Sequence, residues 1–561
     1  MVHLLPSVKI LEQKEGFLAA SALSFSAVCD RRVKAAIEKL PLAPAGAPLT
    51  VEIAGESGEG YELWVEKNAV RVAAEGPAGA FYAVQTLRQL FAQGEVPCLY
   101  IKDRPDFAYR GFYHDVTRGK VPTLESLKKL VDEMAYYKLN SLQIYIEHTY
   151  AFEECKELAA RSGSLTAEEI KALEAYCEEH FIEFIPSIAT FGHLHDLLEQ
   201  EQYQHLRALK DFEEIPNFWH SRMRHHTIDP LNPESLEVIK SLIDQYMPLF
   251  KSDTFNICCD ETFDLQHYPD AGKVYVEFVN QLIAYVKSKG KKVMMWADIL
   301  HKYPETITDL PEDTLFLNWD YRPEIRVQRI EHFAALGRTQ IVCPGTWTWS
   351  RLCERVAYEE KNIARMAEEG YQNGAVGVLN TNWGDWGNPC SVELAMYGLA
   401  LGAEKAWTVA TPIDGIFRQK VNAVLYQNEK GWEYLNRLSD LHAYMDWQNF
   451  AARYFNRRYG GDAGTLVARE LMFILQRECR AYMEELSAQT WVNDEYRQEM
   501  LIAAEGLCLM AELTAKLDGY EMERTTDAQS WLAKYKEKWL AKNKPSELCN
   551  IEEMFMYCEN L

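Results

Sequence analysis

A repeated alternation of strand-like and helix-like segments most constrains what this chain can fold into. Eight short apolar runs follow one another through the middle of the sequence, and they begin at Gly111, Ser141, Ile182, Thr254, Lys292, Thr314, Thr339 and Ala375. Eight strands alternating with helices predict a (β/α)8 barrel, with a doubly wound open sheet as the alternative. Polar and aromatic residues follow nearly every strand, and barrel enzymes build their sites at that end, which favours the barrel.

The intervals between the strands have helical spacing. Residues 123–138 and 166–181 place apolar side chains three and four positions apart. The second stretch opens with Thr166 and Glu169 at the spacing of a capping box. The longest connection, residues 191–232, carries Trp219, His220, His225 and His226. A connection of that length is often functional or a lid, and a solvated insertion is the alternative.

Different patterns flank the barrel. Residues 49–55, 61–67 and 69–75 alternate apolar and polar positions as strands do, and residues 76–94 have helical spacing. From about residue 426 onward the pattern is helical. The sequence therefore predicts three domains, which are a small α+β domain over 1–105, the barrel over 106–420 and a helical domain over 421–561.

Charge narrows the range of partners. The chain has 59 Lys and Arg against 83 Asp and Glu, a formal net charge of −24 at pH 7. Nucleic acids and anionic membranes are bound by clustered cations, so we expect neither as a partner. Aromatic residues form 12% of the chain and suit the apolar faces of sugar rings. These observations favour a carbohydrate or another neutral small molecule as the ligand.

Cysteine and hydropathy patterns bear on the compartment. Thirteen cysteines lie scattered, without the close spacing of a disulfide scaffold. Residues 17–30 are interrupted by serines and preceded by charges, which favours an early element of a folded domain over a signal peptide. No uninterrupted apolar run reaches the roughly 18 residues of a membrane span. We expect a cytoplasmic protein, and the sequence leaves its oligomeric state open, with a homodimer among the options.

Asp260 and Glu261 are the sharpest candidates for chemistry, because they end the apolar strand predicted from Thr254. Adjacent carboxyls repel each other, and the repulsion favours one protonated partner, as a general acid requires. Neighbouring side chains on a regular strand point to opposite faces. Both can therefore serve one site only if the strand is already ending. A surface or capping role is the alternative for an isolated Asp-Glu pair.

Tryptophan is concentrated at the ends of the last four predicted strands, at Trp296, Trp319, Trp347, Trp349, Trp383 and Trp386. Indole rings stack on sugar faces and keep an N–H donor. Acidic residues that can accept hydroxyl hydrogens follow three of them, at Asp298, Asp320 and Asp385. Arg118 follows the first strand, where its planar guanidinium can donate to two hydroxyls at once. A salt bridge to Asp115 is the alternative for this arginine.

Metal and nucleotide chemistry have weaker support. His193 and His195 form an H-x-H pair, with His148 and Asp298 as further candidate ligands. A metal must also find partners on other strands, so we expect none. The sequence has no GxGxxG, P-loop or GxSxG element, which disfavours a nucleotide cofactor and a serine hydrolase.

With these residues assembled, the chain resembles glycoside hydrolase family 20, the β-N-acetylhexosaminidases, from about residue 45 to about residue 405. Residues 60–91, GYELWVEKNAVRVAAEGPAGAFYAVQTLRQLF, resemble the small α+β domain that precedes the barrel in that family. Residues 110–144 resemble its first strand, helix and second strand. Residues 228–261 resemble the approach to its catalytic pair, which is usually written H-x-G-G-D-E.

The resemblance implies a role for each candidate. Glu261 would act as general acid and then as base, while Asp260 would hold and polarise the 2-acetamido group of the sugar. Arg118 would grip ring hydroxyls in the terminal subsite, and Asp385 would face the outer hydroxyls in place of a family glutamate. The family tryptophans around the acetamide correspond to Trp296, Trp319 and Trp383. The family histidine beside the two acids corresponds to His193.

Several positions depart from the family pattern. The His-Gly-Gly segment and two acids of the third strand are replaced by Asn256, Cys258, Cys259, Ser187 and Ala189. His148 stands where an aspartate usually ends the second strand. The tyrosine that donates to the acetamide oxygen has no secure counterpart, and Tyr321 and Trp347 are the candidates.

The resemblance also implies a mechanism. The acetamide oxygen would attack the anomeric carbon and form an oxazolinium ion, so the enzyme would release a terminal β-linked N-acetylhexosamine with retention, without cofactor or metal. GlcNAc and GalNAc both stay open as the sugar. One alternative is a retaining glycosidase with Asp260 or Asp298 as nucleophile. The other is a sugar-binding barrel without catalysis.

Overall fold

The structure is a computed structural model that describes residues 2–26, 29–210, 217–222, 226–460 and 467–561, without the side chains of residues 160–162 and 218. The N-terminal domain contains β1 (Ile10–Phe17), β2 (Leu23–Ser24), α1 (Arg31–Ile37), β3 (Ala47–Ile53), β4 (Tyr61–Glu66), β5 (Ala69–Ala74), α2 (Pro77–Ala92) and β6 (Pro97–Asp103). Its sheet has the order β1-β6-β4-β5-β3-β2. Strands β3, β4 and β5 and helix α2 lie within about two residues of their predicted positions. Strand β1 escaped prediction because it is exposed along its whole length and so has no buried face to alternate with.

The middle of the chain alternates strands with helices. It contains β7 (Tyr109–Asp115), α3 (Leu124–Tyr136), β8 (Ser141–Tyr145), α4 (Lys156–Ser162), α5 (Ala167–Glu179), β9 (Glu183–Phe184), α6 (His195–Leu198), α7 (Phe218–Arg222), α8 (Pro233–Tyr246), β10 (Thr254–Asn256), α9 (Ala271–Ser288), β11 (Lys292–Trp296), α10 (Asp298–Lys302), β12 (Leu315–Trp319), α11 (Val327–Ala335), β13 (Gln340–Cys343), α12 (Val356–Gln372), β14 (Gly377–Asn382) and α13 (Met396–Trp407). The predicted capping box begins α5, with Thr166 and Glu169 bonded reciprocally.

The eight strands β7 to β14 close into a barrel. They pair in parallel in the order β10-β11-β12-β13-β14-β7-β8-β9. The circle closes just beyond β9, where Ser187 bridges to Asn256 and the Asn256 N–H donates to the Pro186 carbonyl at 2.9 Å. The predicted (β/α)8 barrel is therefore confirmed, and the open sheet is excluded. All eight strands end at one mouth, where barrel enzymes place their sites.

The C-terminal region is helical, as predicted. It contains α14 (Gly415–Val421), α15 (Gly431–Leu441), α16 (Trp447–Tyr459), α17 (Arg469–Ser487), α18 (Asp494–Leu517), α19 (Ala528–Lys542) and α20 (Leu548–Asn560). Short 3-10 or π turns occur at Glu153–Cys155, Gln204–Leu206, Met247–Leu249, Phe263–His267, Pro304–Asp309, Val392–Ala395 and Asn422–Tyr426. Within the described residues, every helix is too short or too polar to cross a bilayer.

Candidate active site

One pocket at the barrel mouth collects most of the predicted site residues. It encloses about 560 Å³ and is lined by Arg118, Asp260, Glu261, Trp296, Trp319, Tyr321, Trp349, Trp383 and Asp385. These residues follow β7, β10, β11, β12, β13 and β14, or end them, so six strands contribute to one wall.

The two adjacent acids reach the same pocket because their strand ends early. Strand β10 stops at Asn256, whose side-chain oxygen accepts from the Cys258 N–H at 2.9 Å. Beyond it, Cys258, Cys259 and Glu261 have positive φ angles of 54°, 65° and 47°. This backbone is no longer extended, so the rule that neighbours point to opposite faces does not apply. Asp260 and Glu261 therefore line one wall together.

His193 lies directly against both acids. Its Nε2 is 3.3 Å from Asp260 Oδ2 and 3.3 Å from Glu261 Oε2. Burial disfavours the charged ring, but the neighbouring carboxylates outweigh burial and raise the pKa of His193 to about 10. The imidazole is therefore a cation at neutral pH. It places one positive charge between the two acids.

His226, on the long connection before β10, supports this cation. Its Nδ1 accepts the His193 backbone N–H at 2.8 Å, and the two rings stack with centroids 4.6 Å apart. His225, the next histidine noted in that connection, lies outside the described residues. His226 thus holds the backbone and the ring of His193 in place.

Glu147 is a site residue that sequence reasoning missed. Its Oε1 is 3.9 Å from His193 Nδ1 and 3.7 Å from Arg118 Nε, and it accepts from the Tyr145 hydroxyl at 2.8 Å. The family comparison pointed to its neighbour His148, which instead turns to Asp196, with Nδ1 3.2 Å from Oδ2. Relative to the family pattern, the acidic residue lies one position earlier in this chain, at Glu147 instead of His148. Spacing alone does not reveal a shift of one residue.

Aromatic rings form the rest of the wall. Trp296 and Trp319 are the last residues of β11 and β12, and Trp319 stacks on Tyr321 with centroids 4.9 Å apart. The Tyr321 hydroxyl accepts from Trp383 Nε1 at 2.7 Å. In this bond the hydroxyl oxygen is the acceptor, so the bond does not use the tyrosine proton.

Trp347 lies behind the wall. Trp349 lines the pocket instead, and Trp347 stacks on Trp349 with ring centroids 4.6 Å apart. Trp347 Nε1 is already bonded to the Tyr321 carbonyl at 2.6 Å. Of the two candidates for the missing family tyrosine, the structure places Tyr321 in the pocket and Trp347 outside it.

Arg118 and Asp385 form an ion pair at the pocket rim. Arg118 Nη1 is 2.8 Å from Asp385 Oδ1, and the guanidinium lies 5.0 Å above the ring of Trp383. The alternative pairing with Asp115 is also present but longer, at 3.6 Å. Burial tends to raise the pKa of Asp385, and Arg118 opposes that rise. We call Arg118 and Asp385 the rim pair.

Asp298 lies behind Glu261 and does not line the pocket. Its Oδ2 accepts from the Glu261 N–H at 3.0 Å. Burial, and then the charge of Asp260, raise the pKa of Asp298 to about 7. A carboxyl bonded to the backbone of the acid is badly placed to attack a sugar in the pocket.

A possible metal-binding group lies close by. Among the described residues, Glu147, His148 and Asp196 offer ligand atoms within 4.8 Å of one another. Arg222 Nε is 2.9 Å from Asp196, and Arg118 already lies beside Glu147. These arginines supply the positive charge that a metal ion would bring.

Comparison with known proteins identifies the family. The profile described as Glycosyl hydrolase family 20, catalytic domain, matches residues 107–409, and the profile for family 20, domain 2, matches residues 11–104. The chain belongs to Glycosyl hydrolase family 20. The first match covers the barrel that carries the pocket, and the second covers the sheet domain before it.

Curated relatives in family 20 are distant. A beta-hexosaminidase of Vibrio furnissii is 24% identical over 357 residues, which are 54% of this chain and 54% of that protein. A beta-hexosaminidase of Akkermansia muciniphila is 34% identical over 158 residues, which are 24% of this chain and 32% of that protein. The chain thus spans about half the length, or less, of these relatives.

Solved structures of family 20 share the fold. The β-N-acetylhexosaminidase of Bacteroides fragilis superposes with a TM-score of 0.61 at 18% identity, covering 75% of this chain and 94% of the other. The chitobiase of Flavobacterium johnsoniae gives 0.62 at 18% identity and covers 98% and 99%. The second likeness includes the C-terminal helices.

The family 20 segment departs most at Cys258 and Cys259, which stand where the family pattern has glycines. Both keep the left-handed backbone that favours glycine, at a cost of roughly 1–2 kcal/mol per residue. Both are fully buried, and burial raises the pKa of Cys258 to about 12. The thiols therefore stay protonated at neutral pH and serve packing rather than chemistry.

Proposed function

We propose that this chain is a β-N-acetylhexosaminidase that removes a terminal, non-reducing β-linked N-acetylhexosamine through substrate-assisted catalysis. The observation that carries the proposal is the arrangement of the carboxyls in the pocket wall. There are three in the described lining, and Asp385 is bound to Arg118. Asp260 and Glu261 remain, and they touch the same nitrogen of His193.

This arrangement disfavours a protein nucleophile. A retaining glycosidase with two carboxyls places them about 5 Å apart on opposite sides of the bond that breaks. Asp260 and Glu261 leave one turn and approach the same imidazole, so they serve one side. The displacement must then come from the substrate, and the 2-acetamido oxygen is the group positioned to supply it.

Each pocket residue then has a defined task. Glu261 donates a proton to the leaving oxygen. Afterwards it takes a proton from the water that opens the oxazolinium ring. Asp260 accepts the acetamide N–H and offsets the charge that develops on the oxazolinium ion. The His193 cation lies 3.3 Å from the Asp260 carboxyl and is its positively charged partner. Tyr321, from its place in the wall, donates to the acetamide oxygen.

The aromatic wall and the rim pair hold the sugar. Trp296, Trp319 and Trp383 surround the acetamide and the apolar sugar face. Arg118 and Asp385 bind the outer hydroxyls at the rim. Fixing the acetamide against the anomeric carbon turns the attack into an intramolecular step, and such steps gain several kcal/mol from orientation.

The test uses two isosteric substitutions, Asp260→Asn and Glu261→Gln. Each should lower kcat on 4-nitrophenyl N-acetyl-β-glucosaminide by about 100-fold or more. Glu261→Gln should lose less on substrates with better leaving groups, because they need less protonation. The substrate-assisted step further predicts inhibition by a thiazoline that mimics the oxazoline.

Glu277→Gln, on the exposed face of α9, is the matched control and should keep wild-type rates. Equal turnover of the plain 4-nitrophenyl glucoside would contradict the acetamide mechanism and favour a carboxylate nucleophile. Calorimetric binding of N-acetylglucosamine without any turnover would favour a sugar-binding barrel.

A further inference from the structure

The C-terminal helical domain contacts the two loops that carry the rim pair. Arg118 lies on residues 116–123, after β7, and Asp385 lies on residues 383–391, after β14. We call these the first and second rim loops. Residues 542–548, between α19 and α20, are called the docking segment.

The two rim loops touch each other closely. Gly119 and Gly387 meet with φ angles of +103° and +88°, and a Cβ on Gly119 would lie 2.7 Å from the Gly387 Cα. Asp115 bonds both loops, since it accepts from the Arg118 N–H at 3.1 Å and from the Gly384 N–H at 3.0 Å. The position of Arg118 relative to Asp385 therefore depends on how the loops are held together.

The first rim loop pairs with the docking segment through backbone hydrogen bonds. The Thr123 N–H donates to the Lys542 carbonyl at 3.0 Å, and the Lys544 N–H donates to the Val121 carbonyl at 2.8 Å. The Glu547 N–H donates to the Gly119 carbonyl at 3.1 Å, next to Arg118. These bonds join chain segments more than 400 residues apart in sequence.

The second rim loop is held by side chains of the same domain. Trp447 Nε1 donates to the Trp386 carbonyl at 2.8 Å, and the Tyr535 hydroxyl donates to the Pro389 carbonyl at 2.9 Å. Both contacts lie within four residues of Asp385. Trp447 is fully buried, and loss of its donor would leave the Trp386 carbonyl without that bond.

Glu547 joins the two sets of contacts. Its carboxylate pairs with Arg222 at 2.6 Å and accepts from Trp219 Nε1 at 3.1 Å. The Trp219 ring lies against Gly387, where an added Cβ would be 2.6 Å from it. Glu547 thus touches the first rim loop through its backbone and the second through Trp219.

We propose that the C-terminal helical domain is a working part of the sugar pocket, with Glu547 and Trp447 as positioning residues that set the geometry of the rim pair. This inference rests on the proposed function for its kinetic consequence. The domain acts through Arg118 and Asp385 and touches no substrate. If the domain loses its contacts with the rim loops, recognition of the outer hydroxyls should weaken, while Asp260 and Glu261 stay in place.

Two variants test the inference. Glu547→Ala removes the acceptor of Arg222 and Trp219, and Trp447→Phe removes the donor to the second rim loop together with part of the buried ring. Each should raise KM about tenfold and change kcat less than about threefold. Each should also lose most of the wild-type preference for the N-acetylglucosaminide over its 4-deoxy and 6-deoxy analogues. Glu547→Gln, which keeps an acceptor, should restore part of that preference.

The matched control is Glu505→Ala, which breaks the Glu505–Lys534 pair at 2.8 Å elsewhere in the same domain. It should lower thermal stability without moving KM. Equal KM and equal preference in Glu547→Ala, Trp447→Phe, Glu505→Ala and the wild type would overturn the inference.

Hydrogen exchange separates this inference from the proposed function. In Glu547→Ala and Trp447→Phe, peptides from residues 116–123 and 383–391 should exchange faster than in Glu505→Ala, whether or not the protein hydrolyses the substrate. If the wild type is inactive but its variants show faster exchange in the rim loops, the proposed function alone is wrong. Unchanged exchange in both rim loops would sink the inference, even if the wild type is active.

Discussion

The carboxyls of the pocket are accompanied by cations, whereas a pair of buried glutamates elsewhere in the described residues is not. In the pocket, Asp260 and Glu261 share the His193 cation, and Asp385 pairs with Arg118. Elsewhere, Glu354 and Glu359 are fully buried beneath α13, where Glu354 accepts from the Gly398 N–H at 3.0 Å.

The second group has no such partner. No Lys, Arg or His in the described parts of the chain forms an ion pair with Glu354 or Glu359. Burial therefore raises the pKa of both groups well above the usual range of a glutamate. The difference teaches that burial alone converts a carboxylate into a neutral structural group. A cation at contact distance opposes this effect of burial on the pKa, as Arg118 does at Asp385.

Removing the shared cation should give the largest effect. His193→Ala removes the positive charge that lies 3.3 Å from both Asp260 and Glu261. We expect kcat/KM on the N-acetylglucosaminide to fall by about 100- to 10,000-fold. The pH–rate profile should also change, because the variant lacks the imidazole whose pKa is raised to about 10. A profile of unchanged shape and height would show that His193 only fills space.

Asp298 is buried with a raised pKa, as in the second group, but contacts Glu261 of the first. Its substitution should therefore have an intermediate effect on the rate. The pKa of this carboxyl is raised to about 7, so below pH 6 it is neutral and resembles an amide. Asp298→Asn should therefore match the wild type at pH 5–6 and diverge from it above pH 7. Asp298→Ala, which removes the acceptor of the Glu261 N–H, should lose about tenfold at every pH. Rates measured from pH 5 to 9 decide this, and parallel profiles for Asn and wild type would contradict it.

The Glu354–Glu359 pair should affect stability but not turnover. A carboxyl whose pKa is raised in the folded protein contributes stability that is complete below the unfolded value of 4.5 and is lost as pH rises toward the folded value. Glu354→Gln should flatten that decline by up to about 1.4 kcal/mol per pH unit for one proton. Urea unfolding at pH 5, 6, 7 and 8 measures it, with kcat unchanged throughout. A decline as steep as in the wild type would show that the pair is charged in the folded state.

Metal removal should have the smallest effect. The cations beside the pocket carboxyls are His193 and the arginines, so incubation with a chelator should leave kcat and KM unchanged. Assays with and without excess EDTA, followed by added Zn²⁺ or Mg²⁺, provide the check. A loss of rate that metal restores would assign the Glu147, His148 and Asp196 group to a metal after all.

Much of the site was predictable because it follows strand ends. Trp296, Trp319 and Trp383 were found by their position after apolar runs, and Arg118 by its place after the first strand. Glu147 was missed because a chain shift of one residue exchanges it with His148. Trp347 was expected in the pocket and lies behind Trp349, since the segment after β13 is irregular and Trp347 itself has a φ of +52°.

The sequence by itself determined the barrel, the helical C-terminal region and the acidic pair, because periodicity and strand-end chemistry are local and repeat along the chain. Only the tertiary structure decided that β10 stops at Asn256, that one histidine lies between two acids, and that residues near 547 support a loop near 118. Such contacts join segments hundreds of residues apart. Local patterns hold no information about which distant segment fills a given space, and packing of the whole chain settles it.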